Sequence, residues 1–116
     1  MPRRNQKVYL EDIINACKEL QQLKIDADNI SHFLSKNYFY RTAERCFQII
    51  GEALYHLHNL DKTILITAKA KIIRLRHMLT HDYDIIDYSR LWLYMEQYLP
   101  TLYEEAQQLL KNSKEQ

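Results

Sequence analysis

One glycine and two prolines punctuate the 116 residues: Gly51, Pro2 and Pro100. Tight β-turns draw on Gly and Pro, so this scarcity leaves little material for hairpins and predicts an all-α chain. The strongest periodic signal supports it. Phe39, Ala43, Cys46, Phe47, Ile50, Leu54 and Leu57 recur at steps of three and four. That spacing predicts one amphipathic helix from about Tyr38 to Asn59. Gly51 lies beside this stripe. A mid-helix Gly costs about 1 kcal/mol against Ala, and the return expected here is a close crossing by a neighbouring helix.

The remaining segments read as helices around that one. Leu10, Ile13, Ile14, Cys17, Leu20 and Leu23 predict a helix over about Gln6–Leu23. Asp26 and Asp28 are capping candidates for a short helix running to about Lys36, with Ile30, Phe33 and Leu34 inward and a break at Asn37. After Asn59-Leu60-Asp61, the stretch Thr63–Thr67 is strand-like in composition but has no partner strand. A loop or first helical turn is expected there, with helix from Ala68. Leu65, Ala68, Ile72, Leu75 and Leu79 form the expected apolar stripe of that fourth helix. Leu91, Trp92, Met95, Leu99, Leu102, Ala106 and Leu109 predict a last helix over about Tyr88–Lys111, with Pro100 kinking it. The whole chain is expected to be one domain, residues 1–116, an antiparallel up-and-down bundle of four to five helices. Residues 1–5 and 112–116 read as frayed tails.

Composition narrows the function classes. A net charge of +1 gives no global field for nucleic acid, so any such binding needs a local patch or an oligomer that pools patches. Nine Tyr suit an interface as well as a core. Cys17 and Cys46 both fall on apolar helix positions and read as buried free thiols. No signal peptide is evident, and the apolar runs fall far short of the roughly 20 residues that a membrane span needs. A cytoplasmic protein without membrane contact is expected.

Chemistry concentrates in Arg76-His77-Met78-Leu79-Thr80-His81-Asp82-Tyr83. This segment ends a run from Lys62 to His81 that contains Lys62, Lys69, Lys71, Arg74 and Arg76 and no acid. Arg76 falls within the apolar stripe, so its guanidinium needs an acid on another helix, such as Glu44 or Glu52, or an opening into a cleft or subunit interface. His81, five positions on, points well away from Arg76 on a continuous helix. The two can cooperate if the helix ends or bends near Thr80, or if a symmetric dimer brings a second copy of the pair. His77 and His81 have a metal-compatible spacing but no evident third ligand, so no metal or other cofactor is expected. His56 and His58 read as surface residues.

Arg76-x4-His81-x-Tyr83 resembles the R-x4-6-H motif of the HEPN superfamily in the form typical of HepT toxins. Ala43-Glu44-Arg45 followed by Ile49-Ile50-Gly51-Glu52-Ala53 resembles that family's central helix. Trp92 and Tyr98-Leu99-Pro100 extend the likeness over roughly Val8 to Leu110. The resemblance implies a helical bundle that homodimerises through the motif-bearing face. It also implies a metal-independent endoribonuclease acting in the dimer cleft. Arg76 would hold the scissile phosphate, and His81 would be the general acid or base. Tyr83 would be the tyrosine that an MntA-like nucleotidyltransferase antitoxin adenylylates to silence the toxin. Two departures stand out. His77 replaces the usual Asn or Asp and offers an accessory acid–base group or phosphate contact. Asp82 replaces Gly and sets a carboxylate beside the motif. HEPN-like domains also serve as non-catalytic binding subunits of nucleotidyltransferase-fold partners, which is the alternative reading.

Overall fold

The computed structural model describes residues 5–81 and 86–114. Among these residues five helices follow one another: α1 Gln6–Ala27, α2 Ile30–Ser35, α3 Asn37–Leu60, α4 Lys69–His81 and α5 Ser89–Lys114. No strand occurs among the described residues. α3 packs against both α1 and α4, α5 lies along α1, and the short α2 sits among α1, α3 and α5.

Neighbouring helices run antiparallel, and side-chain pairs fix the register. Tyr9 meets His56, and Glu19 meets Arg45, so α1 rises as α3 descends. Between α4 and α5, the Lys71 Nζ donates to the Tyr98 hydroxyl at 3.1 Å, and Met78 meets Arg90. The apolar stripes close a single core. Phe33, Phe47, Leu10, Ile13, Leu20, Ile50, Leu54, Leu57, Ile72, Leu91, Met95 and Leu102 are its largest fully buried side chains. Each adds about 1.5–3 kcal/mol by leaving water. No charged or polar residue is fully buried among the described residues. Cys17 and Cys46 are buried free thiols. Burial pushes both up to about 12, so they stay protonated and inert at neutral pH.

Several local expectations are corrected. α1 runs on to Ala27, and Asp28 closes it at φ 71° with its N–H donating to the Lys24 carbonyl at 2.9 Å. The cap of α2 is therefore Asn29, not Asp26 or Asp28: its Oδ1 accepts the His32 N–H at 2.9 Å. Leu34 is exposed, because six residues of helix bury one face and Phe33 fills it. The break falls at Lys36, and Asn37 already begins α3. Asn5 caps α1 instead of fraying: its side chain accepts from the Val8 N–H at 3.2 Å. α5 continues through Pro100 to Lys114, beyond the expected end.

Before α4 the expected loop is present, and the inward placement of Leu65 is corrected. Residues 61–68 are loop, and Ile64 and Ile66 are buried while Leu65, expected inward, is 85% exposed. The alternation is that of extended chain lying on a core, and it reverses the helical assignment of Leu65. Glu105 of α5 accepts the Thr67 N–H at 3.1 and 3.2 Å and its hydroxyl at 2.8 Å. A carboxylate from another helix thus anchors the segment that leads into α4, so helix begins only at Lys69.

Gly51 is where α3 and α4 come closest. A Cβ built there would lie 2.3 Å from Arg76 Cβ, 2.9 Å from Arg76 Cγ and 3.2 Å from the Ile72 carbonyl oxygen. The close crossing expected for this glycine is present, and the residue it admits is Arg76. Gly51→Ala gains about 1 kcal/mol of helix propensity but forces α4 outward. A net destabilisation of about 1–3 kcal/mol is expected from overpacking, readable as a lowered urea midpoint; an unchanged or raised midpoint would contradict the crossing.

Candidate active site

The Gly51 crossing delivers Arg76 to the polar flank of α3. There its guanidinium forms an ion pair with Glu52, the residue after the glycine. Glu44, the other candidate partner, instead accepts the Tyr88 hydroxyl at 3.1 Å. The Arg76 side chain is 32% exposed and that of Glu52 46%, so the pair is solvated on one side. Such a pair contributes little to stability and can exchange partners.

Glu52 also binds a second nitrogen group, the His56 imidazole. His56 Nε2 lies 2.9 Å from Glu52 Oε1, one helical turn on. A carboxylate only accepts, so that nitrogen carries the proton. The His56 ring stacks on Tyr9 of α1, with centroids 5.0 Å apart and planes 18° from parallel. Three helices therefore meet in one line of contacts: Tyr9, His56, Glu52 and Arg76. They line a cleft of about 490 Å³, together with Asp12, Arg45, Gln48 and Thr80. Arg45 is held by an ion pair with Glu19.

His81 occupies a different face. α4 is continuous from Arg76 to His81, so the two side chains leave the helix roughly 140° apart. His81 instead meets His77, their ring centroids 4.4 Å apart, and both are exposed. Within one chain, Arg76 belongs to the cleft and the two imidazoles to the neighbouring outer face. Asp82 and Tyr83 lie outside the described residues. Among those described, no group of three or more His, Cys, Asp or Glu side chains gathers where one metal ion could be held. No helix among them is long and apolar enough to cross a membrane.

The profile of the family described as "Ribonuclease HepT-like" matches residues 13–109. The chain belongs to the ribonuclease HepT-like family. The match takes in Arg76, His81 and the α3 wall of the cleft, while Tyr9 and Asp12 precede it. Two curated proteins of Methanocaldococcus jannaschii are similar along their whole length. "Putative RNase MJ1380" is 27% identical over 108 residues, covering 92% of this chain and 98% of that one. "Putative RNase MJ0125" is 26% identical over 117 aligned residues, covering 99% of each. No solved structure matches significantly. A nuclease role is thus carried at the level of the family.

In this HepT-like chain His56 keeps the exposure of a surface residue, 39% for its side chain, but it lines the cleft and is bonded to Glu52, a role the sequence reading missed. The Glu52-x3-His56 spacing was the available signal, since residues four apart share a helix face. Tyr9 gave no such signal, because only the α1–α3 packing brings it to His56. Glu52→Gln is expected to change unfolding free energy by less than about 1 kcal/mol, because both partners of the Arg76 pair are solvated. A loss of several kcal/mol by chemical denaturation would instead mark the pair as a structural pillar.

Proposed function

We propose that the chain is the toxin of a HepT/MntA-type toxin–antitoxin pair: an endoribonuclease that cleaves RNA in a homodimer cleft without a metal ion. The observation that carries this reading is Arg76, a guanidinium placed by the helix crossing in an open cleft and held by an exchangeable carboxylate. A scissile phosphate offers the same acceptor geometry as Glu52 and can replace it. RNA supplies its own nucleophile in the 2′-hydroxyl. The protein then needs a proton shuttle that works near neutral pH and a cation for the charge building on phosphorus. Arg76 is the cation and His81 the shuttle, with His77, whose ring lies tilted beside it at 4.4 Å, in an accessory role.

Because Arg76 and His81 diverge on one helix, the site is composite. Arg76 of one chain works with His81 of the partner subunit, and two-fold symmetry makes two such sites. The exposed cations of α4, Lys71 and Arg74, double across the dimer and track the RNA backbone. Tyr83 is the point of control. An MntA-like nucleotidyltransferase adenylylates its hydroxyl, and the added phosphate repels RNA from the adjacent motif. The Arg76–Glu52 pair is also what a second reading would use: a non-catalytic binding subunit, in which Glu52 keeps Arg76 neutralised for good.

Purified dimer is expected to cleave RNA in excess EDTA. Arg76→Ala and His81→Ala should each reduce the rate by about 10²-fold or more; an intact RNA with the wild-type chain would leave the binding-subunit reading standing. Incubation with the nucleotidyltransferase partner and ATP should add AMP to Tyr83 and stop cleavage. Mass spectrometry of Tyr83→Phe should then find no adduct, and an adduct retained in that variant would remove Tyr83 as the control point.

A further inference from the structure

The cleft contains more than a phosphate site needs. Its formal charges balance, with Asp12 and Glu52 facing Arg45 and Arg76. A track for a long polyanion would be uniformly basic, so attraction for charge alone does not account for this lining. What the cleft adds is a flat aromatic pair, Tyr9 and His56, stacked 5.0 Å apart beside the guanidinium. It adds as well the side-chain amide of Gln48, which carries both a donor and an acceptor. An aromatic surface, an amide and one exchangeable cation in about 490 Å³ match a planar base joined to a phosphate.

We infer that this cleft is a single-nucleotide subsite, in which a nucleobase packs on the Tyr9–His56 pair while its phosphate takes Arg76 from Glu52. The inference rests on the reading of Arg76 as a phosphate ligand and assigns what lies next to it. Binding is an exchange. The phosphate displaces the Glu52 carboxylate, which keeps its bond to His56 and so holds the imidazole flat against Tyr9. Gln48 presents its amide to the base edge, which makes it the residue that sets any preference among bases. The subsite is complete within one chain, since Tyr9, Gln48, His56 and Arg76 come from α1, α3 and α4 of the same molecule.

The test is an NMR titration of the full-length protein with the four 5′-mononucleotides, with inorganic phosphate and with the matching nucleosides, following the Tyr9 and His56 ring resonances. Mononucleotides are expected to bind at least about tenfold more tightly than phosphate or nucleoside and to shift both rings. Tyr9→Ala should weaken nucleotide binding roughly 5- to 150-fold, the range that one base–aromatic stack supplies, with phosphate binding unchanged. Tyr9→Phe should restore it, and Arg76→Ala should reduce a nucleotide to the affinity of its nucleoside. Folded Tyr9→Ala that binds nucleotides like wild type, or phosphate that binds as tightly as a nucleotide, would overturn the subsite. None of these measurements reads cleavage, so the two proposals separate. RNA cleavage with nucleotide binding indifferent to Tyr9 removes the subsite alone. Tyr9-dependent binding by a chain that leaves RNA intact removes the nuclease alone.

Discussion

The approach of α4 to α3 at Gly51 is the constraint on which the rest of the site depends. At this one position a hydrogen atom stands where any other residue would carry a carbon, and the space is filled by Cβ and Cγ of Arg76. The consequence is registration, not only proximity. With α4 seated there, Ile72, Leu75 and Leu79 enter the core, and the guanidinium emerges beside Glu52 on the flank of α3. A bulkier residue at 51 would hold the helices apart and move Arg76 out of reach of the carboxylate. The glycine that weakens α3 locally is thus repaid by the position of one side chain.

The electrostatics follow from how open that position is. A guanidinium buried with a carboxylate would be locked in a structural pair, and one free in water would be disordered. Arg76 has about a third of its side chain exposed and one partner on the protein side, which leaves it oriented and still able to take an incoming anion. Its separation from the His81 imidazole comes from helix geometry: five positions turn the two side chains roughly 140° apart on one helix. A second protomer would remove the conflict, and this is the physical argument for the dimer proposed above.

Much of this was legible in the residues. The scarcity of breakers and the Phe39–Leu57 stripe were enough for an all-helical bundle, and Gly51 beside that stripe was enough for a close crossing. What sequence periodicity missed was tertiary in origin. Leu65 was assigned to the helical stripe, in place of its neighbours Ile64 and Ile66, because nothing local reveals that Glu105, far along the chain, anchors Thr67 and keeps the preceding residues extended. Asp28 looked like a cap but closes α1 at positive φ, passing the capping role to Asn29. In the site, Arg76 could be narrowed to Glu44 or Glu52, and packing chose Glu52. His56 could have been read from Glu52 one turn before it, whereas its stacking partner Tyr9 lies on another helix, out of reach of periodicity.

The central claim is that Arg76 and His81 act across two chains, and subunit complementation tests it most directly. Arg76→Ala and His81→Ala proteins are each purified, mixed, unfolded and refolded together, and assayed on RNA in EDTA. In a mixed dimer, one composite site has lost both groups and the other has kept both. The account therefore predicts that the mixture recovers a substantial fraction of wild-type cleavage although neither parent cleaves. A mixture of confirmed heterodimers that stays as inactive as its parents would contradict it.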